Sequence, residues 1–133
     1  MDYAYLLDTN IISDLMRHPS GPVFKKISEA GETSVCTSIL VVCELRFGIR
    51  KRQSQSLEQR LEDILARLPI IPFSSPVEHH YAEIRAHLEE IGTPIGPNDM
   101  LIAAQARSLN LTVVTANIKE FSRVPTLKVE NWL

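Results

Sequence analysis

Short apolar segments that alternate with longer amphipathic segments constrain the fold of this chain more than any other feature. Residues 3–7, 33–37, 70–73, 111–115 and 127–129 are short and apolar enough to be buried strands. Between them, apolar residues recur at helical spacing, which predicts helices over residues 11–16, 23–30, 39–52, 57–68, 77–91 and 96 to about 106. Strands that alternate with helices are typical of a mostly parallel sheet covered on both faces. No feature of the sequence fixes the strand order.

The size and composition of the chain suit one globular unit. It has 133 residues, of which 44% are hydrophobic and 23% are charged. Because it has no repeat, low-complexity tract or long linker, we predict a single domain over residues 1–133. The first residues lack the basic and apolar stretches of a secretory signal, and no apolar run approaches the roughly 20 residues that cross a bilayer. We therefore expect a soluble, cytoplasmic protein without a membrane partner.

Cysteine content and net charge narrow the classes of function. Cys36 and Cys43 lie in apolar sequence without partners at metal-ligand spacing, which favours small buried side chains over a zinc site. The net charge of −2 argues against a nucleic-acid binder held by overall basicity. Any contact with nucleic acid must come from a local patch. Residues 46–52 are the only dense basic segment, and such a segment is more often a solvated helix end than a binding site.

Asp8 and Glu44 are acids in otherwise apolar surroundings. Asp8 ends the first predicted strand, where it serves either as a cap for the next helix or as a functional group at the carboxyl edge of the sheet. Glu44 interrupts a helix whose residues three and four positions away include Leu40, Val41 and Phe47. A carboxylate on such a face must be protonated, paired or bound to a cation. An ion pair with an arginine and a functional role are both open for Glu44.

A third acid and an asparagine occupy comparable positions. Asp99 lies in the first turn of the helix that opens at residues 96–98, where the helix dipole alone would favour it. Its neighbours three and four residues on are Ile102 and Ala103, so we expect it to point toward the core side. Asn117 follows the strand predicted at residues 111–115 and belongs to the same edge of the sheet, unless it is an ordinary turn asparagine.

Taken together, the three acids predict a metal site, provided that they converge. Asp8, Glu44 and Asp99 come from three separate elements, and adjacent carboxylates repel one another unless a divalent cation neutralises them. Oxygen ligands without nearby histidine or cysteine suit Mg²⁺ or Mn²⁺ better than zinc. Such a site is suited to activating water and to neutralising the charge on a phosphodiester.

Four motifs of the sequence resemble those of the PIN-domain nucleases, and among these the VapC-type toxins of toxin–antitoxin pairs. In chain order they are Leu6-Leu7-Asp8-Thr9-Asn10, then Thr37-Ser38 with Glu44-Leu45 and Gly48, then residues 92–99 with Ile102-Ala103-Ala104, and finally Val114-Thr115-Ala116-Asn117 with Glu120-Phe121. Together they extend over essentially the whole chain.

The resemblance implies an α/β/α sandwich that carries a Mg²⁺-dependent endoribonuclease site, with Mn²⁺ as a substitute. Matched by motif, Asp8, Glu44 and Asp99 fall on the acidic positions of the family, and Asp8 and Asp99 are the expected direct metal ligands. Asn117 falls on a fourth acidic position and carries no charge, which leaves a second tightly held metal open.

The same resemblance implies supporting residues and partners. Thr9, Ser38 and Thr115 fall on polar positions that support the acids. The expected partners are an RNA substrate, a second copy of the chain in a homodimer, and a cognate antitoxin whose basic side chains enter the acidic pocket. The same resemblance implies higher hetero-oligomers with the antitoxin. It also implies that the chain contacts operator DNA only through the antitoxin. Residues 92–97 are most similar to the group that cuts the anticodon loop of initiator tRNA.

Two other functions compete with this interpretation. One is a non-catalytic PIN-like module that acts only through an antitoxin and operator DNA, which the uncharged Asn117 would allow. The other is a phosphatase with an aspartyl nucleophile on a doubly wound sheet. That chemistry usually needs a second aspartate two positions after the first, and the residue there is Asn10. The phosphatase is therefore discounted.

Overall fold

A parallel sheet forms the centre of the protein, as the computed structural model of residues 2–133 shows. Met1, the first residue of the predicted domain, lies outside the described residues. The strands are β1 (Tyr5–Leu7), β2 (Val35–Ser38), β3 (Ile70–Ile71), β4 (Thr112–Val114) and β5 (Val129–Glu130). They are arranged in the order β3-β2-β1-β4-β5, and every pairing is parallel. The predicted parallel sheet is confirmed, with β1 at its centre.

Within residues 2–133, seven helices connect and cover the strands. They are α1 (Thr9–Arg17), α2 (Pro22–Ala30), α3 (Ile39–Arg52), α4 (Gln55–Leu65), α5 (Val77–Glu90), α6 (Pro97–Ser108) and α7 (Ile118–Phe121). The sequence predicted the first six. It did not predict α7, which is little longer than one turn and therefore has no apolar stripe, or the 3₁₀ turn Glu32–Ser34 before β2. No helix within residues 2–133 is both long and apolar enough to span a membrane.

The core lies on both faces of the sheet. Leu6 and Leu7 are consecutive in β1 and both are fully buried, as are Val113 and Val114 in β4. Since successive side chains of a strand point to opposite faces, both faces must be covered, which makes the three-layer α/β/α arrangement. Helix α5 packs against α6, and α1 packs against α2, α3 and α4.

One expectation about the core is wrong. Cys36 is buried in β2 as predicted, but Cys43 is exposed. The inward side of α3 is formed by Val41, Val42 and Leu45, and Cys43 lies on the opposite side of the helix. Apolar neighbours in sequence do not show that a helical residue is buried, because successive side chains of a helix point in different directions.

The topology fixes where a ligand site can form. All five strands are parallel, so their carboxyl ends meet at one edge of the sheet. The chain order changes direction between β1 and β4, and in open α/β sheets such a switch point leaves a crevice at the carboxyl ends. Leu7 is paired with Val114 in the sheet. The residues that follow them, Asp8 and Thr115, therefore come together at this crevice.

Candidate active site

Asp8 is held rigidly at the end of β1. The residue is only 4% exposed, and both of its carboxylate oxygens accept hydrogen bonds. Oδ1 accepts from the backbone N–H of Thr9 at 2.8 Å, and Oδ2 accepts from Oγ1 of Thr115 at 2.8 Å. Burial raises the pKa of Asp8, and these two donors partly oppose that rise. Asp8 thus caps α1 and also faces the crevice, so the two alternatives for this residue are not exclusive.

Thr115 links Asp8 to the next part of the site. Its buried hydroxyl donates to Asp8 and accepts from the backbone N–H of Asn117 at 2.9 Å. A second hydrogen bond joins the same two segments: Oδ1 of Asn10 accepts from the backbone N–H of Ala116 at 3.0 Å. These bonds fasten the loop after β4 to the start of α1. The position of Asn117 is therefore set by the same contacts that fix Asp8.

Glu44 enters the crevice from α3. The side chain is half-buried, and its Oε1 accepts a hydrogen bond from Oγ1 of Thr9 at 3.2 Å. Burial raises the pKa of Glu44, the Thr9 hydroxyl opposes this rise, and the charge of Asp8 adds to it. The alternative of an arginine partner is not realised, because Arg46 pairs with Glu62 on α4. Within residues 2–133, no cationic side chain forms an ion pair with Glu44.

Ser38 supports this acid indirectly. Its buried hydroxyl accepts from the backbone N–H of Leu40 at 3.0 Å and so caps α3. The hydroxyls of Thr9 and Ser38 therefore have different tasks. Thr9 contacts the carboxylate itself, whereas Ser38 fixes the start of the helix that carries it.

Asp99 and Asn117 form the more open side of the site. Asp99 lies in the first turn of α6, and its Oδ2 accepts from Nδ2 of Asn117 at 3.1 Å. Burial, together with the negative charges of Asp8, Glu120 and Glu44, raises the pKa of Asp99 to about 6. Four carboxylates are thus close enough to act on one another electrostatically, three of them predicted from the sequence.

Glu120 is the acid for which the sequence predicted no role, although it belongs to the last motif. It lies on α7, and its Oε2 accepts from Nδ2 of Asn117 at 3.0 Å. The single amide of Asn117 therefore bridges Glu120 and Asp99. The signal in the sequence was the spacing of three residues between Asn117 and Glu120, which brings two side chains together on a helix. Because α7 has four residues, its periodicity could not be recognised.

The donor chemistry of the site fits a hard divalent cation. Asp8, Glu44, Asp99 and Glu120 supply carboxylate oxygens, and none of them forms an ion pair with a cationic side chain of residues 2–133. In the same part of the chain, no three acidic, histidine or cysteine side chains lie close enough to form a complete protein cage for a metal. Mg²⁺ does not need one, since it usually keeps several waters and binds through one or two carboxylates.

Comparison with known proteins places this site in a family. The family model of the PIN domain matches residues 5–127. Ribonuclease VapC2 of Rickettsia felis is 41% identical over 130 residues, which cover 96% of this chain and 97% of the relative. The tRNA(fMet)-specific endonuclease VapC of Salmonella typhimurium is 32% identical over 131 residues, with the same coverage of 96% and 97%.

A solved structure shares the fold along nearly the whole chain. The crystal structure of VapBC2 from Rickettsia felis, bound to a DNA fragment from its promoter, matches with a TM-score of 0.87 and 38% identity. The match covers 98% of this chain and 99% of that chain. The sheet, the crevice and the sequence relatives agree, and the protein belongs to the PIN domain family.

Proposed function

We propose that this protein is an endoribonuclease toxin that hydrolyses RNA phosphodiester bonds with the help of a divalent cation, Mg²⁺ or in its place Mn²⁺. The observation that carries the proposal is the group of four mutually repelling carboxylates at the switch point of the sheet. Burial, together with the negative charges of the other three acids, raises the pKa of Asp99 to about 6. A bound cation relieves such repulsion. A cation held by these acids would also activate water and neutralise charge on a phosphodiester.

Each side chain has a distinct role in this proposal. Asp8 and Asp99 would hold the cation, which when bound lowers the pKa of a water molecule and neutralises charge on the scissile phosphate. Thr115 keeps Asp8 in its orientation through the 2.8 Å hydrogen bond. Asn117 donates to Asp99 and Glu120 and so limits the separation of these two acids.

Glu44 serves in one of two ways. It either completes the coordination through a water molecule or accepts the proton of the attacking water. Its raised pKa favours the second role, because a carboxylate whose pKa lies closer to neutrality is a stronger base. The Thr9 hydroxyl orients Oε1 by its hydrogen bond.

The substrate and partners are proposed from the relatives. One of them is named as a tRNA(fMet)-specific endonuclease, and we propose tRNA, with the anticodon loop of the initiator as the first candidate. We also propose a cytoplasmic location, a homodimer and a cognate antitoxin that inhibits the chain and brings it to operator DNA. Solved complexes of VapBC with DNA support the last two partners. Phe47 on α3 is 69% exposed and Phe24 on α2 is 46% exposed, and exposed aromatic side chains suit contact with a partner chain.

The competing functions fit the site less well. A non-catalytic module was suggested by the uncharged Asn117, but Glu120 supplies a carboxylate within hydrogen-bonding distance of that residue. The phosphatase needs an acid at position 10. Asn10 instead accepts from the backbone of Ala116 and holds the loop after β4.

The test is cleavage of tRNA by the purified chain without antitoxin. We expect cutting in Mg²⁺ and in Mn²⁺, none in excess EDTA, and none by Asp99→Asn in any of these conditions. Asp63→Asn is the matched control, because Asp63 is exposed on α4 and outside the acid group. Cutting that survives EDTA or Asp99→Asn would overturn the metal mechanism. Binding without any cutting would favour the non-catalytic module.

A further inference from the structure

A small cavity next to the acids is lined by residues of both signs. It has a volume of about 210 Å³ and lies between α1, α3 and the start of α4. Thr9 and Glu44, which contact each other, line it together with Arg17 and Arg52. Arg17 follows Thr9 by eight residues on α1, and Arg52 follows Glu44 by eight residues on α3. At 1.5 Å per residue, each arginine is about 12 Å further along its helix than the residue at the acids.

Ion pairing distinguishes Arg52 from Arg46, at the other end of the basic segment. Arg46 begins the basic segment 46–52, and it is neutralised by Glu62. Arg52 ends the segment, and it forms no ion pair with any carboxylate of residues 2–133. Arg17 is 61% exposed and has only a 4.0 Å contact with Asp14. Arg50 and Lys51 form no ion pair within residues 2–133 either, but neither lines this cavity. Of the basic segment, Arg52 alone therefore adds positive charge to the cavity that Glu44 also lines.

A polyanionic substrate needs positive charge close to the four acids. The chain has a net charge of −2, and the acids themselves repel RNA phosphates. Affinity for nucleic acids comes largely from phosphates neutralised by arginine and lysine. Guanidinium groups suit this task, since their planar fork binds phosphate oxygens in pairs.

We propose that Arg52 and Arg17 form a phosphate-binding subsite that holds the RNA backbone a few nucleotides from the bond that is cut. The proposal rests on the ribonuclease function proposed above. The two arginines are positioning residues: they bind backbone phosphates and do not touch the reacting atoms. Arg46 takes no part, although it belongs to the same segment of sequence.

The direct test is binding of a labelled single-stranded oligoribonucleotide of mixed sequence, measured by fluorescence anisotropy in EDTA over a range of salt concentrations. Each phosphate contact to a single strand contributes about 0.7 to the slope of log K against log [salt]. We expect Arg52→Ala and Arg17→Ala each to lower the slope by about 0.7, and the double variant by about 1.4. Arg52→Lys should keep the slope of the unaltered chain, because the charge is kept.

Arg85→Ala is the matched control. Arg85 is an exposed arginine on α5, next to Glu89 and outside the cavity. It should leave the slope unchanged. An unchanged slope in the double variant overturns the proposal, as does an equal loss in Arg85→Ala. A lack of salt-dependent binding by the unaltered chain overturns it as well.

Cleavage kinetics separate this proposal from the one on which it rests. With tRNA and Mg²⁺, we expect the double variant to raise KM about tenfold and to leave kcat within about twofold, because binding is lost and the chemistry is kept. If the unaltered chain cuts and the variant shows neither a KM nor a slope change, the subsite is wrong and the ribonuclease stands. If the slope changes and no chain cuts RNA, the subsite stands and the ribonuclease is wrong.

Discussion

The two sides of the acid group are built differently. On one side, Asp8 is buried and each of its oxygens has a donor fixed by the fold, the backbone of Thr9 and the hydroxyl of Thr115. On the other side, Asp99 is half-buried and shares one amide, that of Asn117, with Glu120. We call these the Asp8 side and the Asp99 side.

The pKa shifts of the two sides have different causes. Burial raises the pKa of Asp8, and its own hydrogen bonds oppose the rise. The pKa of Asp99 reaches about 6 because burial is reinforced by three neighbouring carboxylates. The Asp8 side is therefore stabilised by the fold itself, whereas the Asp99 side carries repulsion that only a cation or a proton relieves.

The largest effect is expected on catalysis, where the two sides should be equal. We expect Asp8→Ala and Asp99→Ala each to lower the rate of tRNA cleavage in Mg²⁺ by about a thousandfold, since each removes several kcal/mol of stabilisation of the transition state. Single-turnover rates with purified protein measure this, with Asp63→Ala as the control. A variant of Asp8 that keeps a tenth of the activity would show that only the Asp99 side is needed.

Stability without metal should separate the two sides. Asp8→Ala removes the cap of α1 and the acceptor of the buried Thr115 hydroxyl, and we expect it to lower the free energy of unfolding by about 1–2 kcal/mol. Asp99→Ala removes a charge that three others repel, so we expect the melting temperature to rise. Calorimetry in EDTA at slightly alkaline pH measures both. Shifts of the same sign would mean that the two sides do not differ as described.

More of the fold than of the site could be predicted from the sequence. Helical and strand periodicity located six of the helices and all five strands, because that signal is local. The order β3-β2-β1-β4-β5 depends on which crossover each connection takes, and no residue type records it. Within the site, Asp8, Glu44 and Asp99 were found because charge is unusual on apolar segments. The contact of Thr115 with Asp8 joins residues far apart in sequence and follows only from the pairing of β1 with β4.

Glu120 is the clearest example of a site residue that the sequence did not indicate. Glutamates on helices are common, and this one lies in a mixed sequence next to Lys119 rather than on an apolar segment. Its part in the site depends on the amide of Asn117, which turns toward both Asp99 and Glu120. The uncharged Asn117 suggested a missing charge at this position. The structure instead places an acid three residues later.

The pH dependence of stability sharpens the comparison further. The pKa of Asp99 rises from 3.8 to about 6 on folding, so between these values the folded chain binds a proton that the unfolded chain has lost. The free energy of unfolding without metal should therefore fall as the pH rises from about 4 to about 6, and then level off. The pKa values of Asp8 and Glu44 are raised too and act in the same direction.

Urea denaturation in EDTA over this pH range measures the effect. Asp99→Asn should reduce the fall, since the group with the raised pKa is gone, and saturating Mg²⁺ should reduce it as well by favouring the ionised form. Asp63→Asn should leave the curve of the unaltered chain in place. A stability that rises with pH across this interval would contradict the assignment of repulsion to the Asp99 side.

The smallest effect concerns the residue that joins the two sides. The hydroxyl of Thr115 donates to Asp8 and accepts from the backbone of Asn117. Thr115→Val keeps the shape of the side chain and removes both bonds, so we expect a loss of about 1 kcal/mol in the free energy of unfolding. The pKa of Asp8 should rise further, because one of the donors that opposes burial is lost, and cleavage should then need a higher pH. Thr115→Ser should restore both properties in urea denaturation and in the pH profile of cleavage. If Thr115→Val changed stability alone, the two sides would be joined only by packing, and the orientation of Asp8 would not depend on this hydroxyl.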